Sequence, residues 1–307
     1  MQTGLMQWTL DNISQSPNHF NSLIDMREAV SQIRELPPLP AIAQRIMQLA
    51  SEPLADAAKL AEIIELDPLL TAQVIRWASS PLYAYRGKIH SVKEAIIRVL
   101  GFDFVLNAAI GLAALAPLRA HREGAIGTEK LWLQSLASTR LMPLLNNKLP
   151  IAERLPNADV VAAALLHNVG FLLLGHQFPD ECSYLNKLIA ANPTLSLVRI
   201  EKFALDIDHG LIGTWLMRTW AMPKPIIDVV YHHHNPSYRG DNYALNLLVF
   251  LSDYLLGQLG IGDAQHETCP DEVLALLQIS QEDCQQALAV IADNLQDIQA
   301  TAQLLTA

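Results

Sequence analysis

The sequence predicts an all-α protein. Three observations carry this: period-2 alternation of apolar and polar residues is nearly absent, apolar residues recur at three- and four-residue spacing, and only 14 of 307 residues are glycine. At 51% hydrophobic residues there is ample core material. The length suits one large or two adjoining helical subdomains.

The elements follow in order. A first helix is expected over about 23–35, and Pro37-Pro38-Leu39-Pro40 ends it and opens the next, whose apolar face is Ile42, Ile46 and Leu49. Asp67-Pro68 reads as an N-cap with proline at the first helical position, starting a helix that turns Leu70, Val74 and Trp77 inward. Ser79-Ser80-Pro81 reads as a cap or turn after it. Ser91-Val92-Lys93-Glu94 is a capping box, and Gly101 closes that helix. The segment 121–128, with Gly124 and Gly127, reads as a joint between two helical modules. Helices are then expected from Thr128 to Asn147, with Pro143 ending or kinking the last turn, and from Ala158 to about Leu174. Others run from Ser196 to Leu205, Asp208 to Trp220, Pro225 to about His233, and around Asp253, with two terminal helices. In the last of these Leu288, Ile291, Leu295, Ile298, Ala302 and Leu305 form a heptad-like seam. It serves either docking on the chain's own core or a homodimer contact. Trp77, Trp132, Trp215 and Trp220 read as core, and His232 as solvent-facing.

Composition excludes several functions. A net charge of −10 argues against nucleic acid as a partner. The longest apolar stretch, Val105 to Leu118, is interrupted by Asn107 and stopped by Pro117, so no membrane span is expected. The N-terminus lacks a signal-peptide layout. Cys182, Cys269 and Cys284 are odd in number without CxxC spacing, against a disulfide framework or zinc ribbon. A cytoplasmic bacterial protein is the expectation. A Gly-x-Ser-x-Gly elbow and a phosphate-cradling glycine loop are both missing.

One pair stands out chemically. His167-Asn168 lies inside the most apolar helical stretch, where a polar side chain without partners costs about 1–3 kcal/mol. Matching polar residues follow at His209, His233, His234 and Asp253. Imidazoles and a carboxylate on separate helices can supply N and O ligands to a metal ion. Asn168 is neutral and a poor ligand, so the site reads as a hydrolase-type metal site that has lost part of its chemistry.

The motifs carry a family resemblance. Leu36-Pro37-Pro38-Leu39-Pro40, the run from Ile63 to Thr71, and Ser91 to Gly101 resemble the N-terminal signatures of HDOD domains, the HD-related output domain. Leu131-Trp132 with Ser135-Leu136-Ala137, Ala164 to Gly170, Asp208-His209-Gly210, Trp220-Ala221-Met222-Pro223 and His233-His234-Asn235-Pro236 continue the match in order. It covers about Glu35 to Asp253. The resemblance implies an HD-like fold of two parts, an N-terminal helical subdomain over 31–120 and a degenerate HD subdomain over 128–260. Residues 1–30 and 261–307 then form terminal extensions.

The resemblance also implies roles. In HD phosphohydrolases metal is held by a histidine where this chain has Gln134, by a His-Asp pair where it has His167-Asn168, and by a later aspartate, here Asp253. The lysine that follows the pair in HD-GYP enzymes falls at Phe171, and the GYP signature is missing after His234. The degenerate site is therefore Gln134, His167, Asn168, His209, His233, His234 and Asp253, with no catalytic residue assigned. Gln134, His167 and Asn168 are read as a buried hydrogen-bonded network. At most one divalent ion is expected, through His209, His233, His234 and Asp253. The implied function is a non-catalytic signal-transduction module that binds signalling proteins, with a nucleotide second messenger as a further candidate ligand. The alternative is a divalent-metal-dependent phosphohydrolase acting on a cyclic dinucleotide or nucleotide.

Overall fold

The computed structural model describes residues 36–305 except positions 51, 53, 80–82, 84, 119 and 264–267. Of the described residues 70% are helical, and no strand occurs among them. The expected helix before Pro37, and Ser80 and Pro81, lie outside the described residues.

The first helices are α1 (Ala41–Ala50), α2 (Ala57–Ile64) and α3 (Pro68–Ala78). Asp67 caps α3 as its sequence implies, accepting from the N–H groups of Leu69 and Leu70, and Leu70, Val74 and Trp77 are buried. Helix α4 (Val92–Ala95) runs into a π-turn over Ile96–Leu100. Ser91 accepts from the Glu94 N–H, but the Glu94 carboxylate reaches back to the His90 N–H, one residue earlier than a capping box requires. Gly101, at φ +82°, ends the turn and opens α5 (Phe102–Leu115).

An irregular segment leads to α6 (Thr128–Asn146), which continues through Pro143 rather than stopping there. The single helix expected over 158–174 is two: α7 (Asn157–Leu166) and α8 (Val169–Gln177), parted at His167-Asn168. Together Asn157–Gln177 is long and apolar enough to cross a membrane, but its most apolar 18-residue window is 89% buried inside the fold, so it is core. Next comes a helix the reading of the sequence did not anticipate, α9 (Pro179–Ala191), with Cys182, Leu185 and Leu188 turned inward. Then follow α10 (Leu197–Leu205), α11 (His209–Thr219), α12 (Lys224–His232) and α13 (Tyr243–Gly257).

The C-terminal part holds three helices instead of two: α14 (Asp271–Leu277), α15 (Gln281–Asp293) and α16 (Leu295–Leu305). The seam breaks at Asn294, and Leu288, Ile291, Ile298 and Ala302 are buried as α15 and α16 pack on α6 of the same chain. This is the intramolecular of the two readings. Helix α7 lies between α5, α6, α12 and α13, and α8 lies on α11. Trp77, Trp132 and Trp220 are buried while Trp215 is half-buried. His232, expected in solvent, is half-buried because its ring stacks on Tyr238 at 4.0 Å.

Candidate metal centre

Three local features build the site. Close approach of α8 to α11 comes first. A Cβ on Gly170 would overlap the His209 carbonyl oxygen, and one on Gly213 would lie 3.1 Å from the Gly170 backbone nitrogen, so glycine at both positions lets these backbones meet. His209 is the first residue of α11, after the N-cap Asp208, and its ring stacks on Phe171 at 4.0 Å and 22°. Second, α12 ends at His232, which releases His233 and His234 toward His209. Third, α13 is closed by Gly260 at φ +72°, with the Ile261 N–H bonded to the Leu256 carbonyl. Gly262, at φ +86°, then turns Asp263 inward.

These features bring His209, His233, His234 and Asp263 together, with one ligand atom from each lying within 4.8 Å of the others. His209 Nε2 is 3.1 Å from His233 Nε2 and 3.2 Å from His234 Nε2. Asp263 Oδ2 is 3.1 Å from His234 Nε2 and 3.8 Å from His209 Nε2. The expected fourth ligand, Asp253, is not in this group. It points from α13 toward His167, and Asp263, beyond the boundary expected at 260, takes its place.

The opposite edges of the rings fix the tautomers. His209 Nδ1–H donates to Glu201 Oε2 at 2.7 Å, and Glu201 Oε1 accepts the His209 backbone N–H at 3.0 Å. His233 Nδ1–H donates to the Val230 carbonyl at 3.0 Å. With both Nδ1 edges donating, the Nε2 atoms of His209 and His233 face one another at 3.1 Å, as lone pairs whenever both rings are neutral. Such facing lone pairs repel unless a cation sits between them. Around a tetrahedral zinc with N–Zn bonds near 2.05 Å, ligand atoms lie about 3.3 Å apart, close to the observed 3.1 and 3.2 Å. The donor set is chemically suited to one borderline divalent ion, with Glu201 as the carboxylate that orients a liganding histidine.

Electrostatics agree. Burial, with His234, His209 and His167 nearby, holds the His233 pKa well below its ordinary value, so the ring stays neutral. Burial raises Asp263, but His234, His209 and His233 outweigh it and hold the carboxyl well below the usual range. Burial pushes Glu201 up, opposed by His209.

The rest of the expected site forms a second, linked cluster. His167 Nδ1 bonds the Ala163 carbonyl at 3.1 Å and its Nε2 lies 3.4 Å from Asp253 Oδ1. Burial works against charge on His167, but Asp253 and Asp263 outweigh it and raise its pKa. The Gln134 amide spans the two clusters, donating to Asp253 Oδ1 at 3.1 Å and Asp263 Oδ1 at 3.0 Å. Both amide hydrogens are thereby used. Asn168 departs from the expected network: it is buried, yet neither its Oδ1 nor its Nδ2 has a hydrogen-bond partner. Asp253 Oδ2 is likewise buried and unpaired. Sequence reasoning missed Glu201 and Asp263.

Known proteins share this architecture. A signal-transduction-named protein from Marinobacter aquaeolei VT8 is 31% identical, with a TM-score of 0.78, covering 93% of this chain and 66% of its own. An HDOD domain protein from Geobacter sulfurreducens is 24% identical, TM-score 0.71, covering 92% and 97%. A protein from Shewanella amazonensis SB2B named as a metal-dependent phosphohydrolase is 21% identical, TM-score 0.62, covering 91% and 97%. These last two likenesses show the fold alone. An uncharacterized protein from Treponema pallidum (strain Nichols) is 22% identical over 265 residues, and the chain spans 50% of that curated relative's length. The HDOD domain model itself matches residues 36–236, which include Gln134, the His167-Asn168 pair, His209, His233 and His234. With the motifs, the helical architecture and this match in agreement, the chain belongs to the HDOD domain family.

Proposed function

We propose that this chain is a regulatory signalling module that holds one divalent metal ion and does not use it for hydrolysis. The observation that carries the reading is the convergence of three imidazole Nε2 atoms and Asp263 within 4.8 Å, four of the pairs at 3.1–3.8 Å, with two Nδ1 edges anchored. His209, His233, His234 and Asp263 would hold the ion, which supplies positive charge that neutralises facing lone pairs and a carboxylate. Catalysis by a two-metal phosphohydrolase needs a second ion beside the first to screen the phosphoryl charge. The position that would anchor it is a neutral, unpartnered Asn168, and Gln134 occupies the carboxylates that would share it. Among the described residues one group alone has the makings of a metal site. The output is binding: a signalling protein, or a nucleotide second messenger that is held and not turned over. The 31%-identical Marinobacter relative named for signal transduction supports this role.

The test is elemental analysis of the purified chain with calorimetric titration of Zn²⁺, Mn²⁺ and Mg²⁺, alongside hydrolysis of cyclic dinucleotides. One equivalent of bound metal without turnover is the expected result. Two equivalents with turnover would establish the phosphohydrolase alternative.

A further inference from the structure

We propose that the ion works as a pin for the strap over residues 258–263, so that metal occupancy is read out at the junction between α13 and the C-terminal helices. This rests on the single-ion reading above and adds a regulated element to it.

The strap is a short, distinctly anchored turn. Its backbone leaves α13 through Gly260 and re-enters the protein at Gly262, both in the left-handed region that other residues rarely adopt. Between them Ile261 is buried and bonded through its N–H to Leu256. Gly262 lies flat on Gln134, where an added Cβ would meet the amide at 2.7 Å. Among the described residues of the strap the ionic anchor is Asp263, whose side chain is only 4% exposed.

That anchor is strengthened by an ion. A buried carboxylate is costly unless charge or several donors compensate it. Asp263 receives one N–H from Gln134, and its other oxygen faces His234 and His209 Nε2. The His209 Nδ1 hydrogen is held by Glu201, so that ring presents a lone pair to the carboxylate, not a proton. A divalent cation among the three Nε2 atoms would add a full positive charge beside the carboxylate, bonded to the histidines as well. Because the ion binds the closed strap and loses a ligand when it opens, linkage requires that occupancy suppress opening. At saturation opening falls by the ratio of the ion's affinities for the closed and the open strap, about 5–150-fold for a typical coupling. The C-terminal helices are not released by loss of the ion, since α15 and α16 stay on α6 through Leu288, Ile291, Ile298 and Ala302. The response is confined to the strap and the surface it covers.

The experiment is amide hydrogen exchange on the full chain, with Zn²⁺ or with chelator, following peptides that contain Ile261 to Asp263. Bound metal is counted in the same samples. Zn²⁺ is expected to slow strap exchange by one to two orders of magnitude while peptides from α16 change little. Asp263→Asn keeps the shape and an acceptor for Gln134 but removes the charge. It should bind Zn²⁺ more weakly through the three histidines, and its strap exchange should no longer respond at saturation. Co²⁺ absorption adds a check independent of folding yield, because loss of the carboxylate ligand alters the visible spectrum of a tetrahedral ion. One equivalent of metal bound with unchanged strap exchange would overturn the pin and leave the single-ion reading standing. No metal bound at all would overturn both, and so would equal responses in the native chain and Asp263→Asn overturn the pin.

Discussion

Glu201→Gln should separate metal binding from folding. Glu201 sits on α10 with its side chain fully buried, accepting the backbone N–H of His209 on one oxygen and the ring Nδ1–H on the other. Glutamine has nearly the same shape but one acceptor and one donor. Its Oε1 can keep the backbone N–H. Its Nε2 then faces His209 Nδ1, and the lowest-energy response is for the imidazole proton to move to Nε2. All buried groups remain paired, and a buried carboxylate whose pKa burial has raised is gone, so the metal-free protein should lose no more than about 1 kcal/mol. The ring now aims a proton at the metal position. Loss of a histidine-orienting partner costs about 10–100-fold in metal affinity, or roughly 1.4–2.7 kcal/mol. Urea unfolding in chelator reads the first quantity and zinc calorimetry the second. Unchanged zinc affinity in a stably folded variant would show that Glu201 does not set the tautomer and that the tautomer argument is wrong.

Three further outcomes follow from the same geometry. Gly170→Ala should destabilise the chain by about 3 kcal/mol or prevent soluble expression, because the new methyl meets the His209 carbonyl, a backbone atom that cannot move aside; denaturant midpoints check this. Asp253→Asn should cost about 3 kcal/mol in the metal-free protein, since it leaves His167 without its buried counter-charge. The folded pKa of His167 is raised above 6.5, so the pair's contribution is full below 6.5 and is lost as pH rises through the folded value. The gap between native and variant stability should therefore narrow from mildly acidic to alkaline pH, and a gap that widens would refute the sign. Gln134→His with Asn168→Asp should raise divalent-metal affinity above the parent, as titration would show. Unchanged affinity would mean that these positions are core and not lost ligand sites.

Most helices were legible because capping chemistry is local. Asp67-Pro68, Ser91 and Asp208 act through bonds to the next two or three N–H groups, and the sequence contains all the partners. The gathering of Gln134, His167, His209, His233 and His234 was also readable, from polar residues set in apolar runs. What was not readable depended on distant geometry. Glu201 carries a signal that could have been used, since it falls on the same stripe as Leu197 and Leu205, where a charge needs a buried partner. Asp263 follows two glycines whose positive φ aims it inward, and nothing in its immediate sequence says which way the strap turns. Asp253 therefore looked like the ligand, because it lies on a helix with a visible apolar face. The break at His167-Asn168 was hidden for a similar reason: it lies beside Gly170, whose close approach to α11 is a distant contact.

The docking of α16 on α6 has a consequence for synthesis. Arg140 on α6 is buried and meets Asp297 at 3.4 Å, and Ile298 and Ala302 cover the same helix. Helix α6 is complete by residue 146, yet the residues that cover it are translated about 150 positions later. At about 5–20 residues per second that interval is roughly 8–30 s, during which one apolar flank of α6 faces solvent or a chaperone. Gln134 and Asp263 are separated in the same way, so the metal centre cannot be assembled until the strap has left the ribosome. Ribosome stalling near residue 250 should therefore yield a nascent chain that captures hydrophobic probes, and stalling well after residue 305 should not.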